Sequence, residues 1–146
     1  MKMVTISLII LLSSWQLAAK AACVDSSPTW LTTPDEASVQ DCANRAGRGD
    51  TITIESGSVS WKTGVIIPPN KHLAIQGAGI DKTIITTQGA YAFDIKSGNK
   101  RITGLTFIIA AGMDAVRIDG DGWRVDHIKA MSSSTASTNG VQARGL

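Results

Sequence analysis

The chain has 146 residues, of which 43% are hydrophobic and 18% charged, with a formal net charge of +2 and two cysteines. This length allows at most one ordinary domain. Two cysteines do not make a zinc site, and no clustered basic face indicates a nucleic-acid-binding protein. The net positive charge comes from Lys2 and Lys20, because the rest of the chain carries equal numbers of acidic and basic residues.

The first 21 residues have the pattern of a secretory signal peptide. A short charged start precedes an apolar run at residues 4–12, and Ala19-Lys20-Ala21 fits a small-residue cleavage site. The apolar run is too short for a membrane span, which takes about 20 residues. We therefore predict an exported mature chain, residues 22–146, located outside the cell or in the periplasm and free of the membrane.

Export bears on the two cysteines, since an oxidising compartment permits a disulfide. Two interpretations stay open: Cys23 and Cys42 are bonded, or Cys42 is a buried apolar residue and Cys23 an unpaired one. A cysteine directly after the leader also suggests a lipoprotein, but Lys20 stands where the lipid-attachment motif has leucine.

A short helix is predicted over residues 34–46. Thr33 is the expected N-cap, Pro34 the first helical residue, and Glu36 the partner that closes a capping box. Gly47 supplies a stop signal. One apolar stripe follows helical spacing and consists of Val39, Cys42, Ala43 and Ala46.

After Asp50 the sequence changes to short β-rich runs separated by Gly, Asn and Asp turns. The runs cover residues 51–54, 64–68, 73–77, 83–87, 92–95, 101–107, 115–118 and 123–128. No helical period returns in this part of the chain. The spacing of the runs is typical of an all-β fold.

The β-rich part contains an internal repeat. Four segments align: IESGSV at 54–59, IQGAGI at 75–80, ITGLTF at 102–107 and VDHIKA at 125–130. Their first residues are 21, 27 and 23 positions apart. A period of this length with short strands predicts a solenoid of about four coils, in which aliphatic residues point inward and glycines occupy the corners.

The segments GDTITIESGSVSW, LAIQGAGIDKTIIT, RITGLTF and WRVDHIKA resemble secreted proteins of the pectate-lyase-like (pectin-lyase-like) superfamily. The resemblance covers about residues 33–146. It implies an all-β, right-handed parallel β-helix whose short N-terminal helix caps the open end of the coil. Its implication for activity is broader, because this superfamily carries lyases, hydrolases, epimerases and non-catalytic surface proteins on one scaffold.

The C-terminal end is predicted to be open. Residues 131–139, MSSSTASTN, form an expected polar loop, and the next inward residue of the repeat would fall near position 147. We therefore expect residues 22–146 to be the N-terminal part of a longer β-helix domain. An uncapped coil exposes apolar side chains and strand edges, so we expect self-association through it.

Asp126 and His127 are adjacent and suggest a catalytic pair. In the aligned copies, however, Asp126 shares an outward column with Glu55, Gln76 and Thr103, and His127 shares a corner column with Ser56, Gly77 and Gly104. Neighbouring side chains on a strand point in opposite directions, whereas a general-base pair requires contact. We therefore interpret them as an exposed carboxylate beside a corner residue.

The resemblance adds one metal-ligand candidate. The family motif that resembles W-x-D-H is matched by Trp123, Asp126 and His127, and there it marks the coil more than a catalytic centre. Upstream, the family's D-A strand opening is matched at Asp114, and an Asp of this kind helps to hold calcium in calcium-dependent pectate lyases. One carboxylate is not a calcium site, since six or more oxygens are needed; no catalytic residue is identified.

The expected ligand is an acidic polysaccharide lying in a groove on the solenoid. The groove candidates are Asp126, Arg124, Arg117 and Trp61. Trp123 shares a face with Val125 and is expected in the core. The sequence thus predicts a lyase-like protein that acts on acidic polysaccharide, with a non-catalytic surface or adhesion module as the alternative.

Overall fold

The computed structural model describes residues 23–96, 101–135 and 139–144. These residues form a parallel β-solenoid of about five turns with one short helix, which confirms the predicted fold class. The predicted signal peptide lies outside the described residues. In the part of the chain that is described, no helix is long and apolar enough to cross a membrane.

The described residues form twelve strands and one helix. In chain order they are β1 (Cys23–Ser26), β2 (Thr29–Thr32), α1 (Glu36–Arg45), β3 (Thr51–Ile54), β4 (Gly57–Trp61), β5 (Val65–Ile67), β6 (Ala74–Gly77), β7 (Thr83–Thr87), β8 (Tyr91–Ile95), β9 (Arg101–Ile109), β10 (Asp114–Asp119), β11 (Arg124–Ser132) and β12 (Asn139–Arg144). Every β-rich run of the sequence became a strand. Four strands were not predicted: β1, β2, β4 and β12.

The strands form two sheets that wind around one core. The larger sheet has the order β1-β2-β3-β6-β9-β7-β4, with β11 also paired to β9, and the smaller has the order β12-β10-β8-β5. All pairs are parallel except the β1–β2 hairpin. Each turn of the chain therefore stacks on the previous turn, as a solenoid requires.

The first copy of the repeat was misaligned by two residues. Ile75 pairs with Ile52 rather than with Ile54, and Ile54 lies opposite Gly77. Because side chains alternate with a period of two, this shift keeps the inward set inward, and both isoleucines are fully buried. The turn count was also low, because β2 already pairs in parallel with β3 on the N-terminal side of the first aligned copy.

Aliphatic columns and an aromatic stack fill the coil. Ile52, Ile75 and Ile102 lie in register on successive strands and are fully buried. Trp61 and Phe93 pack edge to face with ring centroids 5.2 Å apart, and Phe93 and Phe107 do so at 6.2 Å. Such contacts add about 0.5–1.5 kcal/mol each beyond the burial of area.

The helix begins two residues later than predicted. Asp35, not Thr33, is the N-cap, and its carboxylate accepts hydrogen bonds from the backbone N–H and the hydroxyl of Ser38 at 2.9 and 2.6 Å. No capping box forms, because Glu36 is used elsewhere. The predicted apolar stripe is confirmed, since all four of its members are fully buried: Val39, Cys42, Ala43 and Ala46.

Polar side chains fasten α1 to the start of the coil. The Glu36 carboxylate accepts from the backbone N–H groups of residues 62, 63 and 64 and from the Thr63 hydroxyl. The side-chain amide of Gln40 accepts a hydrogen bond from the backbone N–H of Ile66 at 2.8 Å and donates one to the backbone carbonyl of Ile66 at 2.9 Å. A neighbouring strand would make the same two bonds. The Lys71 ammonium donates hydrogen bonds to the backbone carbonyls of Asn44 and Ala46 at the C-terminal end of α1. These bonds are made where the sequence predicted a stop signal from Gly47.

A disulfide joins Cys23 on β1 to Cys42 on α1. Of the two interpretations left open by the sequence, the bonded one is correct. Both cysteines are buried. The bond therefore ties the first strand to the helix that covers the N-terminal end.

Candidate functional site

The outward face of β9 and β11 carries a cluster of charged side chains. The two strands pair in parallel, with Arg124 opposite Arg101 and Asp126 opposite Thr103. Alternation along each strand places Arg124 and Asp126 on the outer face, while Val125 between them continues the inward column of Ile102. The predicted outward direction of Asp126 is therefore confirmed.

Asp126 is the centre of this cluster. Its carboxylate accepts bonds from Arg101 Nε and Nη2 at 3.0 and 2.7 Å and from the Thr103 hydroxyl at 2.8 Å, and it forms an ion pair with Arg124. The hydrogen bonds from Arg101, and next those from His127 and Thr103, hold the pKa of Asp126 well below its usual range. Asp126 is therefore ionised at neutral pH.

His127 contacts Asp126, which overturns the expected separation of the two side chains. The imidazole Nδ1 lies 3.0 Å from Asp126 Oδ1, and the side chain is 72% exposed. The backbone of His127 has φ 47°, so strand alternation fails at this residue. A left-handed conformation costs a non-glycine residue on the order of 1–2 kcal/mol.

The corner column explains this backbone conformation. Gly104, one coil earlier, has φ 72°, and it lies between residues that pair with the neighbours of His127. A Cβ on Gly77 would lie 2.2 Å from Gly104 O, so a side chain is excluded at Gly77. Gly77 and Gly104 were assigned to it correctly, but the first member is Ile54, not Ser56.

Arg117 lies in the smaller sheet and is already paired. Its guanidinium donates to Asp94, whose side chain is 1% exposed, and lies over the Tyr91 ring at 4.5 Å. Lys96 also bonds to Asp94 at 2.7 Å. Burial raises the pKa of Asp94, but the hydrogen bonds from Arg117 and Lys96 outweigh it, and the net pKa is lowered. Arg117 does not join the Asp126 cluster.

Trp61 is not a groove residue. It is fully buried, and its indole N–H donates to Pro34 O at 2.8 Å. The reason is the unpredicted strand β4, which turns this side chain into the core. Trp123 packs partly against the core as expected, and its indole nitrogen is buried without a hydrogen-bond partner among the described residues.

Asp114 stands at the start of β10, opposite Tyr91 and Asn139 in the neighbouring strands. In residues 23–96, 101–135 and 139–144, no three His, Cys, Asp or Glu side chains lie close enough together to hold a metal ion. Calcium binding stays a prediction.

Arg101 was missed from the sequence, and Thr103 was aligned with Asp126 but not named as its partner. Arg101 and Thr103 precede Arg124 and Asp126 by one repeat of 23 residues, so the register itself was the available signal. Lys129, further along β11, donates to Asp81 at 2.9 Å. Comparisons of the chain with protein-family models, with curated proteins and with solved structures give no match.

Proposed function

We propose that this chain is a secreted protein that binds an acidic polysaccharide along the outer face of β9 and β11. The observation that carries the proposal is the arrangement of Arg101 and Arg124 around one shared carboxylate. Arg124 is 72% exposed and Arg101 44%. Guanidinium groups bind carboxylates in a planar, bidentate geometry, and uronic acids carry one carboxylate on each sugar.

The geometry of the face also suits an extended chain. Parallel strands of the solenoid place Arg101 and Arg124 on adjacent rungs. One carboxylate, Asp126, lies between these two cations. The face therefore keeps an excess of positive charge toward an anionic ligand, although the charges of the whole mature chain balance.

Relationship to the pectate-lyase-like superfamily is part of the same proposal. The parallel β-solenoid and its N-terminal helix support it, and so does the matched W-x-V-D-H stretch, but one scaffold serves many activities. A secretory leader would bring the protein to extracellular polysaccharide. The disulfide between Cys23 and Cys42 agrees with folding in an oxidising compartment.

Binding of polygalacturonate by the purified protein tests the proposal, measured by affinity electrophoresis and calorimetry with a neutral glucan as the reference ligand. We expect saturable binding that weakens with salt. R124A should weaken it about tenfold or more, since a charge-assisted contact contributes about 1.5–3 kcal/mol. R48A is the matched control, because Arg48 is exposed in the turn after α1. Equal losses in both variants would overturn the proposed surface.

A further inference from the structure

The corner between β10 and β11 contains two aspartate-glycine pairs in succession, Asp119-Gly120 and Asp121-Gly122. Both glycines have positive φ, 124° and 77° respectively, which glycine adopts without steric cost. The backbone nitrogen of a glycine is also poorly shielded, because no Cβ stands beside it. In such a pair the side-chain carboxyl of the aspartate can be attacked by the backbone nitrogen that follows it.

The surroundings of the two pairs differ. Asp119 is the last residue of β10 and lies opposite Arg144 of β12, with its carboxylate 3.7 Å from Lys96 Nζ. Asp121 and Gly122 are exposed and lie between the strands. Within the described part of the chain, nothing bonds to the Asp121 carboxylate or to the Gly122 N–H. The second pair is therefore free to adopt the geometry of attack, whereas strand pairing holds the first.

We propose that Asp121 is a site of spontaneous isoaspartate formation, an inference that does not depend on the proposed function. The Gly122 nitrogen forms a bond to Cγ of the protonated Asp121 carboxyl, the hydroxyl group leaves as water together with the proton from the nitrogen, and a succinimide ring results. Water then adds to the ring carbonyl that was the backbone C=O of Asp121, and the bond from that carbon to the ring nitrogen breaks. The chain now runs through the side chain, and one water has been lost and one gained.

Isoaspartate lengthens the backbone of this corner by one carbon–carbon bond, about 1.5 Å. The solenoid accommodates such a change poorly, because neighbouring strands are held about 4.7–4.9 Å apart in fixed register. The corner leads into β11, whose register with β9 places Val125 beside Ile102 and Asp126 within reach of Arg101. No described strand holds the far edge of β11. We therefore expect the modification to loosen β11 from β9 and to leave the N-terminal end unchanged.

The test holds the purified protein at neutral pH over weeks and follows isoaspartate by labelling with an isoaspartyl methyltransferase. Peptide fragmentation then assigns the label to a residue. We expect label to accumulate with time at Asp121 and to stay at background at Asp119. D121E should lose the time-dependent label, because a glutamate side chain would have to close a larger ring. D119E is the matched control and should keep the label.

Two further measurements separate this reaction from other effects. Asn139-Gly140 lies in β12 and would react with loss of ammonia, which changes the mass of its peptide, whereas isomerisation of Asp121 does not. Hydrogen exchange should be several-fold faster for the β11 amides of aged wild-type protein than for those of aged D121E. The α1 amides should exchange equally in both.

Fresh D121E should have the thermal midpoint of wild type, since the Asp121 side chain has no partner among the described residues. The position of the label in wild-type protein decides the proposal even if the variant folds poorly. Background label at Asp121, or equal label at Asp119 and Asp121, would overturn the proposal. Label at Asp121 without faster exchange in β11 would overturn the expected effect on the coil.

Discussion

The two ends of the solenoid are built differently. At the N-terminal end α1 packs over the first turn, and the Gln40 amide pairs with both backbone groups of Ile66 on the edge strand β5. At the other end, no described strand pairs with the far edges of β11 and β12. The inward residue Val141, which follows the buried Val116 in its column, is 40% exposed.

The difference shows what covers an open strand edge. Apolar burial by the helix is one part, but backbone N–H and C=O groups at a covered edge also need partners. Glu36 and Gln40 supply them at the N-terminal end, at residues 62–64 and at Ile66. We therefore expect substitutions near the N-terminal end to cost stability, and substitutions near the C-terminal end to act mainly on association.

The largest expected difference is between two tryptophans at opposite ends. W61A should lower the free energy of unfolding by about 3–5 kcal/mol, because it empties a fully buried site. W123A should cost about 1 kcal/mol, since Trp123 is only partly packed against the core and its N–H has no described partner. Urea denaturation followed by circular dichroism measures both. Equal losses would show that the C-terminal turn is as well packed as the first.

The disulfide should have the next largest effect. Replacing Cys23 and Cys42 together by alanine removes a crosslink between residues 19 positions apart, and loop-closure entropy puts the loss at about 3 kcal/mol. Wild-type protein unfolded in the presence of a reductant should show the same loss, whereas the double variant should not respond to reductant. An unchanged denaturation midpoint in the variant would mean that the helix caps the coil without the crosslink.

Glu36 should contribute less, and in a pH-dependent way. Burial raises the pKa of Glu36, but the hydrogen bonds from Thr63 and the backbone at 62–64 outweigh it, so the folded pKa lies below its ordinary value. The stability that Glu36 supplies is thus fully present above the unfolded pKa of about 4.3 and is lost as pH falls through the folded pKa.

We expect E36Q to lose about 1–2 kcal/mol at pH 7 and to depend less on pH between 5 and 3 than wild type does, on the order of one proton less. Thermal melts across this range measure both effects. E55Q is the control, since Glu55 is half-exposed in the turn that follows β3. If E36Q and wild type lose stability in parallel as the pH falls, the contacts at residues 62–64 do not depend on the charge of Glu36.

Much of the fold was predictable because inward aliphatics and corner glycines recur in the sequence. Thr51–Ile54 and Thr83–Thr87 became strands with the predicted bounds. Strand β4 was missed because GSVSW has only two apolar residues and begins with glycine. The helix that covers the N-terminal end of the coil was predicted from the sequence. The role of Glu36 could not be predicted, because its hydrogen-bond partners lie 26–28 residues away in a turn.

The candidate site was predictable only in part. The repeat gave the outward direction of Asp126, and its register could also have identified Arg101 as a partner. The contact between Asp126 and His127 depends on one backbone dihedral angle, which strand alternation does not predict. Trp61 was misjudged for a related reason, since its direction depends on a strand that the sequence did not reveal.

Substitutions at two exposed aliphatic residues should have the smallest effect on monomer stability. They should give the sharpest contrast in self-association. Val141 at the C-terminal end is 40% exposed and Ile66 at the N-terminal end 43%. We predict that the wild-type protein associates as its concentration rises, because no described strand pairs with the far edge of β12, where the apolar side chain of Val141 is exposed. A charged residue at an edge prevents such pairing at little cost to the folded monomer, so V141K should shift the equilibrium toward monomer in sedimentation experiments.

I66K introduces the same charge where Gln40 already occupies the strand edge, so its association should equal that of wild type. Association lost equally in both variants would locate the contact elsewhere on the molecule and would remove the distinction between a covered and an open end.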